Sequence, residues 1–195
     1  MRLLAPLALS LLAVPAAAQP AADEACIAAG ACRVLGDLAV EGPDGTTQTF
    51  AMGMVMPWLE QGNLMLAPGD TVILALDEVE GVLVPRLIAA GEASRDVELR
   101  EGQIRFDLSR IQRGQLILSV LSFYPEPLDY GALKVSLGLG PERTSVCTLQ
   151  PGLSVFEAWQ EPIYQMALFG FRPASEAACH IIDEDAELAD DTAAG

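Results

Sequence analysis

The chain has 195 residues, of which 27 are acidic and 11 are basic, so its formal net charge is −16. A surface of that charge repels phosphate backbones and anionic lipid headgroups, which argues strongly against binding to nucleic acid or to a membrane surface. The length fits a single domain with a sizeable hydrophobic core.

The N-terminus has the pattern of a cleavable secretory signal peptide over residues 1–18. Arg2 supplies the positive charge, Leu3–Val14 is apolar, and the small residues Ala16-Ala17-Ala18 provide the cleavage pattern. The apolar run is shorter than the ~20 residues that a membrane-spanning helix needs. We therefore expect a periplasmic or secreted protein without a transmembrane segment.

The next segment, residues 19–32, is predicted to be an N-terminal linker that ends in a short cysteine loop. All four cysteines follow the leader, and an oxidising compartment favours two disulfides. We expect the pairs Cys26–Cys32, whose spacer contains a glycine and small alanines, and Cys147–Cys179, which would fix the end of the domain. Binding of a zinc ion is the alternative role for four cysteines. Zinc sites usually contain closely spaced Cys-x-x-Cys pairs, however, and these are absent here.

From Val34 onward, short apolar runs alternate with turn signals about every 8–12 residues, a rhythm typical of β-sandwiches and barrels. We predict an all-β fold over residues 33–182, an antiparallel β-sandwich that is immunoglobulin-like or related. Strand-like runs around the Pro125-Glu126-Pro127 loop resemble the strand–proline loop–strand passage of immunoglobulin-like sandwiches in exported bacterial proteins. That resemblance implies a fold class and no function.

Local patterns predict four details of this sandwich. Alternating residues around Glu101-Gly102 predict a hairpin over Asp96–Leu108. Pro85 should place its strand at a sheet edge or a bulge, since proline cannot donate to the ladder. Ser154 and Glu157 form a capping-box pattern, which predicts one short helix near residues 154–160. The acidic residues 183–195 should form a disordered tail.

Three alternating methionines, Met52, Met54 and Met56, form the most distinctive motif. In a strand they would share one face, and thioethers are ligands that suit Cu(I). Methionines also fill hydrophobic cores readily, and we expect this role here, with Trp58 closing the end of the core. The copper site remains the alternative.

The remaining candidates for chemistry are a histidine and a group of arginines. His180 is the single histidine, and with Asp183 it could form the base–acid pair of a hydrolase, although the sequence has no Gly-x-Ser-x-Gly nucleophile motif. An anion site is the functional interpretation of five clustered arginines, whereas the acidic residues between them favour ordinary surface pairs. The arginines are Arg95, Arg100, Arg105, Arg110 and Arg113.

These patterns favour a non-catalytic module that binds a protein or another component of the cell envelope, without a cofactor. A periplasmic protein that handles copper or another metal through Met52, Met54 and Met56 is the first alternative. A hydrolytic enzyme centred on His180 is the second. A binding module should expose an apolar patch or an unpaired sheet edge. An enzyme should instead have a pocket with convergent polar groups near His180.

Overall fold

The computed structural model describes residues 19–41, 46–111, 115–136 and 140–181. The predicted signal peptide, residues 1–18, the predicted tail, residues 183–195, and Arg113 lie outside these described residues. Among the helices that the described ranges contain, none combines the length and the hydropathy needed to cross a bilayer.

The described residues form one α-helix, α1 (Gln19–Ala28), one short 3-10 helix (Glu92–Ser94) and a series of short strands. The strands are β1 (Cys32–Val34), β2 (Leu38–Glu41), β3 (Thr47–Phe50), β4 (Val55–Pro57), β5 (Leu59–Glu60), β6 (Asn63–Leu66), β7 (Thr71–Val79), β8 (Val82–Ala90), β9 (Gln103–Arg110), β10 (Leu116–Ser122), β11 (Leu128–Ser136), β12 (Pro141–Thr144), β13 (Val146–Cys147), β14 (Ser154–Trp159), β15 (Ile163–Pro173) and β16 (Cys179–His180).

Ten of these strands form two five-stranded antiparallel sheets. Sheet I has the order β14-β10-β9-β7-β8, and sheet II has the order β12-β11-β15-β6-β5. The other strands form the two-stranded pairs β1–β4, β2–β3 and β13–β16. The prediction of an all-β antiparallel sandwich is confirmed.

The core lies between the two sheets, because alternate residues of each strand point inward. In β10, for example, Leu116, Leu118 and Val120 are fully buried, and the residues between them are half-buried. Phe106 of sheet I meets two aromatic rings of sheet II, with ring centroids 6.3 Å from Tyr130 and 6.0 Å from Phe171. These edge-to-face contacts join the sheets at their centre.

The strand order is not sequential in sheet II, where the last long strand, β15, lies between β11 and β6. Its pairing with β6 sets Met166 opposite Leu66, and its pairing with β11 sets the same Met166 opposite Lys134. Sheet II is therefore assembled from segments that are far apart in the sequence.

A buried ion pair fastens the N-terminal pair β1–β4 to the sandwich. The Arg33 guanidinium forms an ion pair with the Asp70 carboxylate, lies 3.8 Å from the centroid of the Trp58 ring and donates to the Met65 carbonyl at 3.2 Å. Burial raises the pKa of Asp70, against the attraction of Arg33. Because both charges are largely removed from water, each depends on the other for compensation.

Two local predictions are wrong. Residues 154–160 do not form the predicted helix: Ser154–Trp159 is strand β14, whose side chains alternate between exposed and half-buried and whose backbone pairs with β10. The capping-box partner Glu157 instead accepts a hydrogen bond from the Cys147 N–H at 2.7 Å. The predicted hairpin over Asp96–Leu108 is also absent, since β9 begins at Gln103 and pairs with β7 and β10.

The short helix lies elsewhere, in the segment that the sequence predicts to be a linker. Helix α1 covers Gln19–Ala28 and has four alanines among its ten residues. Alanine has the highest intrinsic helix propensity, which explains a helix in a stretch whose small residues also suit a linker.

Candidate functional site

An open groove of about 410 Å³ lies between strand β8 and the β5–β6 hairpin, at one flank of the sandwich. Its volume falls within the ~300–1,000 Å³ that is usual for binding sites. Apolar side chains form most of its lining, and two amide side chains come from the hairpin. The lining residues are Gln61, Gly62, Asn63, Val82, Leu83, Val84, Pro85, Gly170 and Phe171.

Two tight hairpins bring these residues together. The β5–β6 turn, Gln61-Gly62, and the β7–β8 turn, Glu80-Gly81, both have positive φ at their two central residues, 51° and 82° in the first and 53° and 82° in the second. This is the geometry of a type I′ turn, in which glycine at the second position avoids the strain that a side chain would meet. Each turn therefore fixes the register of its two strands, and this register places the flanking residues beside the groove.

The outer wall of the groove belongs to β8, which pairs with β7 alone and is an edge strand of sheet I. The prediction that Pro85 lies on an edge strand is confirmed. Leu83 and Pro85 are buried, whereas Val82 and Val84 point outward, 61% and 39% exposed. Val79 of β7 is directly opposite Val82 and is 53% exposed. We call Val79, Val82 and Val84 the valine strip.

The two hairpins that border the groove carry negative charge. Three exposed carboxylates lie on the two hairpins that frame it, and we call them the acidic rim: Glu60, Glu78 and Glu80. On the outer face of the same strands, Arg86 donates to Asp77 at 2.6 and 3.1 Å. This hydrogen bonding lowers the pKa of Asp77 and raises that of Arg86, so both groups are charged at neutral pH and offset each other. The rim keeps a net negative charge.

The methionine motif does not form the predicted strand. Residues 51–54 connect β3 to β4 and are not part of a strand, and Gly53 has a φ of +54°. The alternation that would place three thioethers on one face therefore does not apply. Met56 is buried as expected, but Met52 is half-buried and Met54 is 48% exposed, so the prediction that all three fill the core is wrong.

His180 lies on β16, opposite Val146 of β13, with its Nε2 atom 3.7 Å from the Asp129 carboxylate. Asp129 accepts a hydrogen bond from the Thr148 hydroxyl at 2.7 Å. Asp183, the acid that the sequence pairs with this histidine, lies outside the described residues. His180 lines neither the β8 groove nor the other large surface concavity, which is bounded by Ile88 and the loop that follows.

The two disulfides that the sequence predicts are both present, Cys26–Cys32 and Cys147–Cys179. The second joins residues that face each other in the β13–β16 pair, with their Cα atoms 3.9 Å apart. It holds the last described strand against the body of the sandwich. In the described part of the chain, no group of three or more His, Cys, Asp or Glu side chains is arranged to hold a metal ion.

The described arginines do not converge on a single site. Arg95 donates to the Thr71 hydroxyl and the Gly69 carbonyl, while Arg105 donates to the Arg95 carbonyl. Arg110 points inward instead, donates to the Ile163 carbonyl at 3.2 Å and has its pKa lowered by burial. These contacts hold loop and strand backbone of the sandwich in place.

A polar pair inside the sandwich gives no sequence signal. The Tyr130 hydroxyl is buried and finds no hydrogen-bond partner among the described residues. Burial raises the pKa of Tyr130, and the nearby Glu157 raises it further. Burial likewise raises the pKa of Glu157, against the smaller effect of the hydrogen bond from Cys147.

The valine strip was not predicted from the sequence either, although two valines separated by one residue beside a Glu-Gly turn could have indicated it.

A scan against protein-family models and searches of curated proteins and of solved structures found no match to this chain.

Proposed function

We propose that this protein is an exported, non-catalytic β-sandwich module that binds a protein of the cell envelope through the β8 groove. The observation that carries the proposal is the valine strip, which lies on and beside an edge strand that borders a mostly apolar groove. Exposed apolar side chains that form a contiguous patch beside a groove are typical of interaction sites. Covering Val82 and Val84 would contribute ~1–2 kcal/mol each.

The edge strand carries features that oppose pairing with its own copies. Pro85 has no N–H to offer to an added strand, and the Asp77–Arg86 pair adds charge to the outer face beside it. Natural edge strands use proline and charge to prevent aggregation. The valine strip is thus exposed on an edge strand that is protected against self-association. This combination favours binding of a different protein over binding of a second copy of the chain.

Export is supported by the two disulfides, which persist in oxidising compartments, together with the signal-peptide pattern in the sequence. Copper handling and hydrolysis receive less support. The methionines lack the strand that would align them, and His180 lies away from the grooves described above.

Site-specific photo-crosslinking in the native host tests the function. A photoreactive amino acid at Val84 should yield a discrete adduct with one envelope protein, because this position borders the groove. The matched control position is Phe156, which is 68% exposed on β14, the opposite edge strand of sheet I. Phe156 should give no such adduct.

A substitution then links the adduct to the strip. Val82→Thr keeps the β-branched shape but replaces one methyl group with a hydroxyl, so it should reduce the Val84 adduct without unfolding the protein. Val34→Thr, at an exposed position on β1 that does not line the groove, is the control and should leave the adduct unchanged. Equal adducts from Val84 and Phe156, or none from Val84, would refute the proposed function.

A further inference from the structure

The charge around the groove indicates which kind of partner it accepts. The acidic rim has Glu60 at the end of β5, Glu78 near the end of β7 and Glu80 in the β7–β8 turn, all exposed. On the two hairpins that frame the groove, the one described base, Arg86, is already paired with Asp77. Arg172 of β15 follows the lining residue Phe171 in the chain, but the alternation of the strand turns it away from Phe171. A partner surface placed over the groove therefore meets the negative charge of Glu60, Glu78 and Glu80, on a chain whose overall charge is −16.

The lining of the groove indicates how the partner is held. Leu83 and Phe171, which are 8% and 4% exposed, form the apolar base of the groove, while Gln61 and Asn63 provide amide groups that can both donate and accept hydrogen bonds. Because Pro85 interrupts the row of donors on the free edge, a continuous added strand is disfavoured. An apolar side chain inserted into the groove would contact its apolar residues, and the backbone of the same segment could form hydrogen bonds with the amides of Gln61 and Asn63.

On these grounds, and resting on the proposed function, we infer that the groove binds a peptide segment of a protein partner in which an apolar anchor residue is flanked by lysine or arginine. The anchor fills the groove against Leu83 and Phe171, and the basic flanks face Glu60 and Glu80. Rim charges of this kind act mainly on the rate of association and on discrimination between partners. A basic partner should therefore associate faster with this acidic chain than an acidic one, and should be preferred over it, because opposite charges steer the encounter.

Fluorescence anisotropy with three labelled peptides tests the inference on the mature protein. The first peptide has one phenylalanine flanked by lysines, the second replaces the lysines with glutamates, and the third keeps the lysines but replaces phenylalanine with serine. The first peptide should bind most tightly, and its affinity should fall as salt is added. Equal binding of the first and third peptides would mean that only non-specific charge attraction acts, and would refute the inference.

Charge reversal at the rim supplies the decisive comparison. The double variant Glu60→Lys, Glu80→Lys should weaken binding of the lysine-flanked peptide about three- to tenfold and strengthen binding of the glutamate-flanked one, as expected for exposed charge pairs. The control Glu92→Lys, Glu101→Lys makes the same change in net charge at exposed positions between β8 and β9, outside the two hairpins that frame the groove. Its effect should be smaller, since salt screens charges beyond about 8 Å.

The two hypotheses fail in different ways. If the control variant changes peptide affinity as much as the rim variant does, the basic partner is wrong, because net charge alone explains the binding. If Val84 still crosslinks a partner in that case, the binding function stands with a partner of other chemistry. If Val84 crosslinks no partner and no peptide binds, both proposals are wrong.

Discussion

Replacing Gly131 with alanine should force the Phe169 ring away from its position on the outer face of sheet II. Gly131 of β11 is directly opposite Phe169 of β15, and the ring covers the glycine so closely that only 9% of Phe169 is exposed. A Cβ atom on residue 131 would lie 2.9 Å from the Cδ2 atom of the ring, 2.6 Å from Cζ and closer still to Cε2. Carbon atoms in van der Waals contact are about 3.5–4.0 Å apart, so the ring must shift by roughly 1 Å.

The expected cost follows from the surface that the ring loses. A phenylalanine buries ~150–250 Å², and exposing about a third of it again costs ~1–2 kcal/mol. The contact between the ring and the Arg143 guanidinium, now 5.7 Å from the ring centroid, would weaken as well. We therefore expect Gly131→Ala to lower the free energy of unfolding by ~1–3 kcal/mol, the usual range for overpacking.

Urea denaturation followed by circular dichroism measures this cost, and a second background tests its cause. With Phe169→Ala, the clash is gone, and Gly131→Ala should stabilise the protein by ~0.5–1 kcal/mol because glycine is unfavourable within a strand. Gly36→Ala, at a glycine whose added Cβ would meet no atom within 4 Å, is the matched control. If Gly131→Ala has the same sign in both backgrounds, the reasoning about the Phe169 ring is wrong.

Three further predictions concern buried charge and the disulfides. Glu157→Gln should raise the melting temperature at about pH 7.5 and have no effect near pH 4. The pKa of Glu157 is raised by burial, so the folded state favours its protonated form, and this stabilisation is lost as the pH rises through the folded-state pKa. Glutamine stays neutral at both pH values and so avoids the loss. Thermal melts across this range test the sign, and a gain that persists at low pH would contradict it. Asp70→Ala should cost ~3–5 kcal/mol by stranding the buried Arg33, and adding Arg33→Met should restore part of the loss. Chemical denaturation of the single and double variants measures both, and a double variant less stable than Asp70→Ala would count against this account. Serine substitutions that remove Cys147–Cys179 should cost ~3–4 kcal/mol, compared with ~2 for Cys26–Cys32, because the first disulfide closes the longer loop. The reverse order in denaturation midpoints would show that unfolded-chain entropy does not set the difference.

The features that the sequence predicted correctly are those with a local cause. Pro85 cannot donate a backbone hydrogen bond, so its place on an edge strand follows from its own chemistry. Cys26 and Cys32 are close in the sequence, which favours their pairing. The turn signals recur at the spacing of short strands, which is why the all-β sandwich could be predicted without knowledge of strand order.

The features that the sequence did not predict depend on distant partners. Ser154 and Glu157 match a helix cap, but β10 offers a complete row of backbone partners to this segment, and tertiary pairing overrides the local pattern. Met54 continues an alternation that Gly53 breaks with its positive φ. The valine strip becomes a candidate site only because β8 has no second neighbour, which is a property of the sheet and not of the residues.

The position of β15 constrains how the molecule folds. A chain that ends before Ile163 contains β11 and β6 but not the strand that joins them, so sheet II would be left in two parts with open edges. Loop closure over such separations slows folding, and sandwiches built from non-local pairs fold in milliseconds to seconds and not in microseconds. Sheet II of the nascent chain thus cannot be completed until β15, the last long strand, is available. With sheet II incomplete, apolar residues on the inner faces of both sheets stay exposed to water, so the chain gains its full hydrophobic stabilisation only after β15 has been synthesised.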